Sequence, residues 1–259
     1  MGYRNLTITG KTDGFGCQLN AKFSGIAFCI RHKKYRYIHT PFSTVSHGYR
    51  DQNLVDKLND LINIPDGRVG KKIHCRYPYM KQVFASPNNW YNNEVFCYLR
   101  SRYWENKNYE TKENIAIHIR RGDIARNKKN RKVAVRYQSN KYYNTTIPRI
   151  VEKFSDSMPI VIYSEGDLKD FESISNGWPK CLSERLVFNL GVDWRSDCEY
   201  DLIKTFHDLV SSRVLVQARS GLSYTAGILN ENCVMFEGGM AGRRSIGQKV
   251  CLDNWIPFY

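Results

Sequence analysis

The sequence has no apolar run close to the roughly 20 residues that a membrane span requires. Residues 1–10 also have no apolar core of the kind found in signal peptides. The chain contains no zinc-type cluster of cysteine and histidine, no Gly-x-Ser-x-Gly motif and no internal repeat. These absences argue against a membrane protein, a secreted precursor, a zinc protein and a serine hydrolase of the common type.

Acidic residues are scarce compared with basic ones. The 259 residues include 39 Lys and Arg but only 25 Asp and Glu, which gives a net charge of +14. Such a charge favours a polyanionic or phosphorylated partner. The eight cysteines form no Cys-x-x-Cys pair, so we expect reduced thiols rather than disulfides.

Apolar periodicity alternates between strand and helix along the chain. Strands are predicted at 6–9, 35–39, 114–119, 159–163, 185–189, 213–216 and 234–236. Helices are predicted at 18–32, 53–62, 93–104, 142–154, 199–210 and 221–229, with Pro148 near the start of its helix. This alternation predicts an α/β fold with parallel sheets, whose ligands bind at the carboxyl ends of the strands.

The first candidate site follows the strand at 114–119 and reads His118-Ile-Arg-Arg-Gly-Asp123. An arginine presents a planar fork that binds two phosphate oxygens at once. Arg120 and Arg121 are therefore candidate phosphate ligands, and Gly122 allows the backbone to approach a ligand. The alternative is a solvated loop beside a core histidine.

The second candidate site is Ser220-Gly-Leu-Ser-Tyr224, between a strand and a helix. The first amides of a helix point outward and favour an anion, so this turn could bind a phosphate. The alternative is that Ser220 only caps the helix.

Two further turns follow strands. Asp13-Gly-Phe-Gly-Cys-Gln-Leu19 resembles a dinucleotide fingerprint only in part, because Leu19 stands where the third glycine is expected. In Ser164-Glu-Gly-Asp167, an acidic group could bind sugar or base hydroxyls, or simply begin the next segment.

The sequence has no Asp-x-Asp pair, which metal-dependent sugar-transfer enzymes use to hold a donor diphosphate through a divalent ion. A diphosphate would then have to be neutralised by protein cations, and Arg120 and Arg121 are suited to this. We therefore expect no metal cofactor.

Together these motifs resemble the metal-independent fucosyltransferases, a superfamily that includes α1,2-, α1,6- and protein O-fucosyltransferases. Their His-x-Arg-Arg-Gly-Asp signature is complete at His118–Asp123. The Gly-x-Gly-Asn-Gln-Leu motif reads Gly14–Leu19, with Cys17 in place of Asn. Ser220–Tyr224 is similar to a late Ser-x-x-Ser-aromatic motif. The resemblance extends from residue 13 to about residue 236.

The resemblance implies a GT-B-like fold of two Rossmann-type parallel-sheet domains. Residues 1–110 would form a reduced, acceptor-side domain, and 111–259 would bind the nucleotide-sugar. The implied activity is inverting, metal-independent transfer of fucose from GDP-fucose to a hydroxyl of a glycan or glycoprotein acceptor.

The resemblance also implies roles for individual residues. Arg120 would hold the diphosphate, with His118 against the nucleotide and Asp13 as the base. Ser220 and the amides of Gly221 and Leu222 would bind a phosphate. The remaining donor-side candidates are Arg121, Asp123, Glu165, Asp201 and Ser223. The remaining acceptor-side candidates are Gly14, Phe15, Gly16 and Gln18.

Three alternatives remain open. The same fold could use another donor, such as UDP-xylose. A nucleic-acid-binding protein is suggested, more weakly, by the basic clusters at 31–36 and 126–132. A non-catalytic glycan-binding protein is the third. The expected location is cytoplasmic, as for a soluble bacterial or viral enzyme, with an excised lumenal catalytic domain as the alternative.

Overall fold

The fold is described from a computed structural model. It describes residues 3–9, 12–45, 51–64, 72–75, 82–83, 86–126, 129–130, 134–191, 202–237 and 254–258. For 72–75, 123 and 126 it describes the backbone alone. Within these residues, no helix is long and apolar enough to cross a membrane.

The first sheet has three parallel strands in the order β2-β1-β3. These are β1 (Arg4–Ile8), β2 (Tyr35–Tyr37) and β3 (Lys72–Cys75). The helices that accompany it are α1 (Phe15–Arg31), α2 (Gln52–Ile62) and α3 (Asn93–Trp104). Since β1 lies between the other two strands, the loop after β1 begins at the centre of the sheet.

The second sheet has six parallel strands in the order β6-β5-β4-β7-β8-β9. They are β4 (Lys112–Ile119), β5 (Ile160–Ser164), β6 (Leu186–Leu190), β7 (Ser212–Val216), β8 (Cys233–Phe236) and β9 (Trp255–Pro257). This is the Rossmann order, in which the chain starts in the middle, builds outward, and then returns to build the other half. The change of direction lies between β4 and β7.

The connections of the second sheet are mostly helical. They are α4 (Asp123–Arg126), α5 (Asn140–Val151), α6 (Lys180–Ser183), α7 (Leu202–Ser211) and α8 (Gly221–Leu229), with short 3₁₀ turns at Leu168–Asp170 and Glu172–Ser175. The predicted fold class is therefore confirmed: α/β, with two parallel sheets of which the N-terminal one is smaller. The predicted domain boundary at residue 110 stays a prediction.

The helices of the first sheet share one apolar cluster with the helices and strands of the second, whereas Leu6 and Ile8 of β1 belong to a separate, smaller cluster. Phe15, the first residue of α1, packs edge-to-face on Phe206 of α7, with ring centroids 5.2 Å apart. Arg100 of α3 donates to the carbonyls of Ile228 and Asn230 at the C-terminal end of α8. These contacts tie the helices of the first sheet to those of the second.

Side-chain caps determine where several helices begin. Asp51, Asn92 and Ser139 each accept a hydrogen bond from an amide of the first turn of α2, α3 and α5. The predicted helices consequently differ from the observed ones by only a few residues at their starts.

The predicted position of Pro148 is wrong. Pro148 lies near the C-terminal end of α5, not near its start. A proline inside a helix leaves the carbonyl four residues earlier without its usual donor. In this protein the carbonyl of Asn144 accepts a hydrogen bond from the indole of Trp178 at 2.9 Å instead. That tertiary contact offsets the lost bond, and no local sequence pattern indicates it.

Candidate functional site

The carboxyl ends of β4 and β7 lie side by side at the point where the strand order reverses. β4 leads into Arg120, and β7 leads into the turn that ends at Ser220. Ligands of open α/β sheets bind in the crevice at such a switch point. The two motifs that the sequence analysis ranked first therefore reach the same edge of the sheet.

His118 lies in β4 and is 3% exposed. Ile117 and Ile119 belong to the apolar cluster on one face of the sheet, and His118 alternates with them. Its Nδ1 is buried and has no hydrogen-bond partner among the described residues. Burial, with a smaller effect from the charge of Arg120, lowers the pKa of His118 from 6.5 to about 3. The imidazole is therefore neutral at physiological pH.

Arg120 is the first residue after β4, and its side chain is largely buried, with 14% exposed. Its guanidinium nitrogen Nη1 lies 3.9 Å from Oε1 of Glu165, the first residue after β5. Gly122 has a φ of +60°, and a Cβ at this position would overlap the Glu165 carboxylate. The positive φ favours glycine at this position, and a larger residue would displace the Glu165 carboxylate from its place beside the arginine motif.

Arg121 points into the interior, although it is adjacent to Arg120 in sequence. It is 5% exposed and donates to the carbonyl of Gln138 at 2.9 Å and to Oδ1 of Asn140 at 2.7 Å. Its guanidinium also lies over the ring of Tyr137, 4.6 Å from the centroid. These contacts favour a structural role, so we keep only Arg120 as the candidate phosphate ligand of the pair.

Ser220 caps α8, since its Oγ accepts a hydrogen bond from the amide of Leu222 at 3.3 Å. Ser223 holds the preceding turn, because its Oγ accepts from the amide of Ala218 and donates to the carbonyl of the same residue. Ser220 is only 7% exposed. Ser220 therefore caps the helix, and its binding of a phosphate stays a prediction. The amide of Gly221, the first residue of the helix, has no acceptor within the helix itself.

The first turns of α1 and α8 touch backbone to backbone. A Cβ on Gly16 would lie 2.6 Å from the Cα of Leu222, and one on Gly221 would lie 3.1 Å from the carbonyl carbon of Gly16. The sequence predicts both glycine turns but not their contact. This contact brings the loop after β1 opposite the loop after β7, with two helix N-termini at the junction.

Asp13 and Gln18 lie at the start of α1. The half-buried Asp13 precedes Gly14, which occupies the N-cap position of the helix. The side-chain amide of Gln18 donates to the backbone carbonyls of Asp13 at 2.6 Å and Thr44 at 2.7 Å. Phe15 is fully buried and packs on core rings. Gln18 and Phe15 thus fix the conformation of this loop from its buried side.

A second arginine near the switch point escaped the sequence analysis. Arg219 makes two parallel hydrogen bonds to Glu237, at 2.7 and 2.8 Å, and Gln138 donates to the same carboxylate at 3.0 Å. Gln138 also accepts from Tyr143. This cluster joins the loops after β7 and β8 to the segment that holds Arg121. The only sequence signal was the position of Arg219 after a buried strand.

Two of the predicted donor-side acids cannot be placed. Asp201 lies outside the described residues, as does the side chain of Asp123. Asp208, seven residues beyond Asp201, is 4% exposed and is bound by Lys112 and by the hydroxyl of Tyr163. Among the described residues, no group of three His, Cys, Asp or Glu side chains could hold a metal ion.

Comparisons with known proteins found similarity only in structure. No family model matches the chain, and no curated protein matches it in sequence. A solved structure of NodZ α-1,6-fucosyltransferase soaked with GDP-fucose is similar at a TM-score of 0.41 and 11% identity, over 93% of this chain and 97% of that one. A structure of NodZ co-crystallised with GDP gives a TM-score of 0.35 at 12% identity, over 88% of this chain and 93% of that one. The selenomethionine form of NodZ from Bradyrhizobium gives 0.37 at 11% identity, with the same coverage of 88% and 93%. Since these scores are low, residue roles are derived below from this chain alone.

Proposed function

We propose that this protein is a glycosyltransferase that moves a sugar, most simply fucose from GDP-fucose, to a hydroxyl of a glycan or glycoprotein. The supporting observation is the assembly at the switch point of the second sheet. There Arg120 lies at the end of β4 and the N-terminus of α8 follows β7, with α1 packed against it. A cation and a helix N-terminus together suit a diphosphate. The choice of fucose and GDP comes from the sequence resemblance.

Arg120 is the proposed ligand of the donor diphosphate. When the bond to the sugar breaks, negative charge builds on the β-phosphate. A fixed donor aimed at that charge lowers the barrier by about 2.7–4 kcal/mol. Arg120 is held in a mostly buried position beside Glu165, so its guanidinium needs little rearrangement as the charge develops.

Protein cations would take the place of a divalent ion in this reaction. Arg120 and the amides at the start of α8 supply positive charge without one. His118, which is neutral because it is buried, would contact the nucleotide as an uncharged group. Glu165 would hold Arg120 in place before the donor arrives.

Asp13 is the proposed base. Direct displacement at the anomeric carbon inverts its configuration and requires a group that removes the proton of the acceptor hydroxyl. Asp13 follows β1 in the loop opposite the proposed donor site, at the start of the helix that touches α8. We expect Asp13→Asn to abolish turnover and to leave nucleotide affinity unchanged. Loss of nucleotide binding in this variant would instead give Asp13 a structural or donor-side role.

The first experiment is calorimetric titration with GDP and with UDP, each with and without EDTA. It compares wild type with Arg120→Ala and with the control Arg213→Ala, an exposed arginine near the opposite end of the sheet. GDP binding that is indifferent to EDTA, lost in Arg120→Ala and kept in Arg213→Ala would support the proposal.

Each other outcome changes the conclusion. Preference for UDP would keep a glycosyltransferase but change the donor to UDP-xylose or a related sugar. Binding that requires a divalent ion would contradict metal independence. Failure of both nucleotides to bind would overturn the proposed function.

A further inference from the structure

A second cleft, of about 370 Å³, lies near the C-terminal end of α1. Three tyrosines and two arginines line it, together with aliphatic side chains of α1, and we call it the tyrosine cleft. Its polar and aromatic lining residues are Tyr35, Arg36, Tyr37, Tyr98 and Arg102. Ile26 of α1 also lines the cleft. Ile26 follows Gly16 by ten residues in the helix, which at 1.5 Å per residue places it about 15 Å from the α1–α8 contact. The cleft is thus separate from the candidate functional site.

Tyr37 brings an unsatisfied hydroxyl to this cleft. Its Oη is buried and has no hydrogen-bond partner among the described residues. Burying a hydroxyl without a partner is unfavourable, and proteins normally avoid it. A ligand hydroxyl that displaces the side chains covering this oxygen would provide the missing partner.

The other lining residues limit the chemistry of the ligand. Lys34 and Arg102 already lie over the rings of Tyr35 and Tyr98, each 5.6 Å from the centroid, so these rings offer only their remaining apolar surface. Arg36 is exposed, and Arg102 is also engaged by Glu105 at 2.8 Å. A ligand that fits this lining has an apolar face, hydroxyl groups at its edge and a negative charge.

A patch of exposed cations extends from Arg36. The basic patch consists of Arg4, Arg31, Lys33, Lys34 and Arg36, which the pairing of β1 with β2 brings together. None of the ion pairs between described residues involves these five side chains. Their charge therefore remains available to an external anion.

We propose that the tyrosine cleft binds an acidic sugar unit of a saccharide chain, and that the basic patch binds sulfate or carboxylate groups on the neighbouring units. This inference rests on the proposed function in taking a glycan as the substrate. A chain held at this cleft would keep its reacting end at a high local concentration near the α1–α8 contact. The tyrosine cleft is a single cavity that accepts one sugar ring of a ligand. Single-stranded nucleic acid is instead bound by successive aromatic side chains along a groove.

The test measures binding of a heparin-derived hexasaccharide to the full chain in the absence of nucleotide. The key variant is Tyr37→Phe, which removes only the orphan hydroxyl. We expect it to weaken binding about three- to tenfold while raising the unfolding midpoint of the free protein. Arg36→Glu should weaken binding at least tenfold. The charge-matched control Lys153→Glu, in the exposed turn between α5 and β5, should leave binding unchanged.

Maltohexaose and an oligothymidylate of equal negative charge serve as competing probes. We expect neither to bind as well as the heparin hexasaccharide. Equal affinity for the oligothymidylate, or hexasaccharide binding that Tyr37→Phe leaves unchanged, would overturn the proposal in favour of a general polyanion surface. No measurable hexasaccharide binding would overturn it outright.

A parallel titration with GDP distinguishes this inference from the proposed function. GDP binding without hexasaccharide binding would reject the tyrosine cleft alone. Hexasaccharide binding without nucleotide binding would reject the glycosyltransferase proposal and keep the saccharide site. The cleft variants should leave GDP affinity unchanged, because none of them lies at the switch point.

Discussion

Gly16 and Leu222 lie backbone against backbone, where the first turn of α1 meets the first turn of α8. The contact joins the helix that follows β1 to the helix that follows β7. Two loops more than 200 residues apart in sequence therefore face each other, because the glycines at 16 and 221 let the two helix backbones approach. A methyl group added at Gly16 would therefore push the two helices apart.

Gly16→Ala should therefore lower the free energy of unfolding by about 1–3 kcal/mol, since the new methyl group overlaps the backbone of α8. The measurement is urea unfolding followed by circular dichroism. Gly227→Ala is the comparison, because its methyl group would meet only side chains, those of Gln217, Trp255 and Val234, and should therefore cost less than one that meets backbone. Equal stability of Gly16→Ala and wild type would mean that the helices can separate without cost.

Substitutions of the two adjacent arginines should affect different properties: stability for Arg121 and turnover for Arg120. Arg121→Ala removes a buried guanidinium that bonds Gln138 and Asn140, so it should lower the free energy of unfolding by about 2–4 kcal/mol. Arg120→Ala should leave stability within about 1 kcal/mol of wild type but reduce turnover about 10²- to 10³-fold. Arg120→Lys should also fail, because a point charge cannot replace the planar fork. The measurements are urea unfolding and a sugar-transfer assay. Near-normal turnover in either Arg120 variant would remove the assignment.

Glu165→Gln should raise GDP affinity about three- to tenfold. The carboxylate that lies 3.9 Å from Arg120 competes with an incoming phosphate, and the amide removes that competition while keeping the shape of the side chain. Calorimetry at low and high salt checks this, and the gain should shrink as salt screens the charges. A fall in affinity would show instead that Glu165 binds the donor directly.

His118 should make the protein less stable as the pH falls. Its pKa is about 3 when folded, against 6.5 for an unperturbed imidazole, so between these values the unfolded chain binds a proton that the folded chain does not. Stability from this group is therefore full above about pH 6.5 and falls by at most about 1.4 kcal/mol per pH unit below it. Urea unfolding between about pH 4.5 and 6.5 should show a shallower decline for His118→Gln than for wild type. Parallel curves would mean that His118 is accessible to protons in the folded state.

Local patterns predicted most of the elements because each is encoded by neighbouring residues. The buried run in β4 and the caps Asp51 and Asn92 are examples. The predictions failed where a distant group intervened. Pro148 is tolerated late in α5 because Trp178, 30 residues further on, donates a hydrogen bond to the carbonyl that the proline leaves without a donor. The bidentate pair of Arg219 and Glu237 is likewise invisible in sequence, since it links two loops across neighbouring strands.

The sequence by itself determined the alternation of strands and helices, the parallel sheets and the motif residues that follow the strands, since these depend on periodicity and on short-range backbone chemistry. Only the tertiary structure decided which motif side chains reach the same place. It turned Arg121 into the interior and left Arg120 beside Glu165, because the groups that bind each guanidinium come from other segments of the chain. It also brought Gly16 against Leu222, because helix packing joins surfaces that have no relation along the chain.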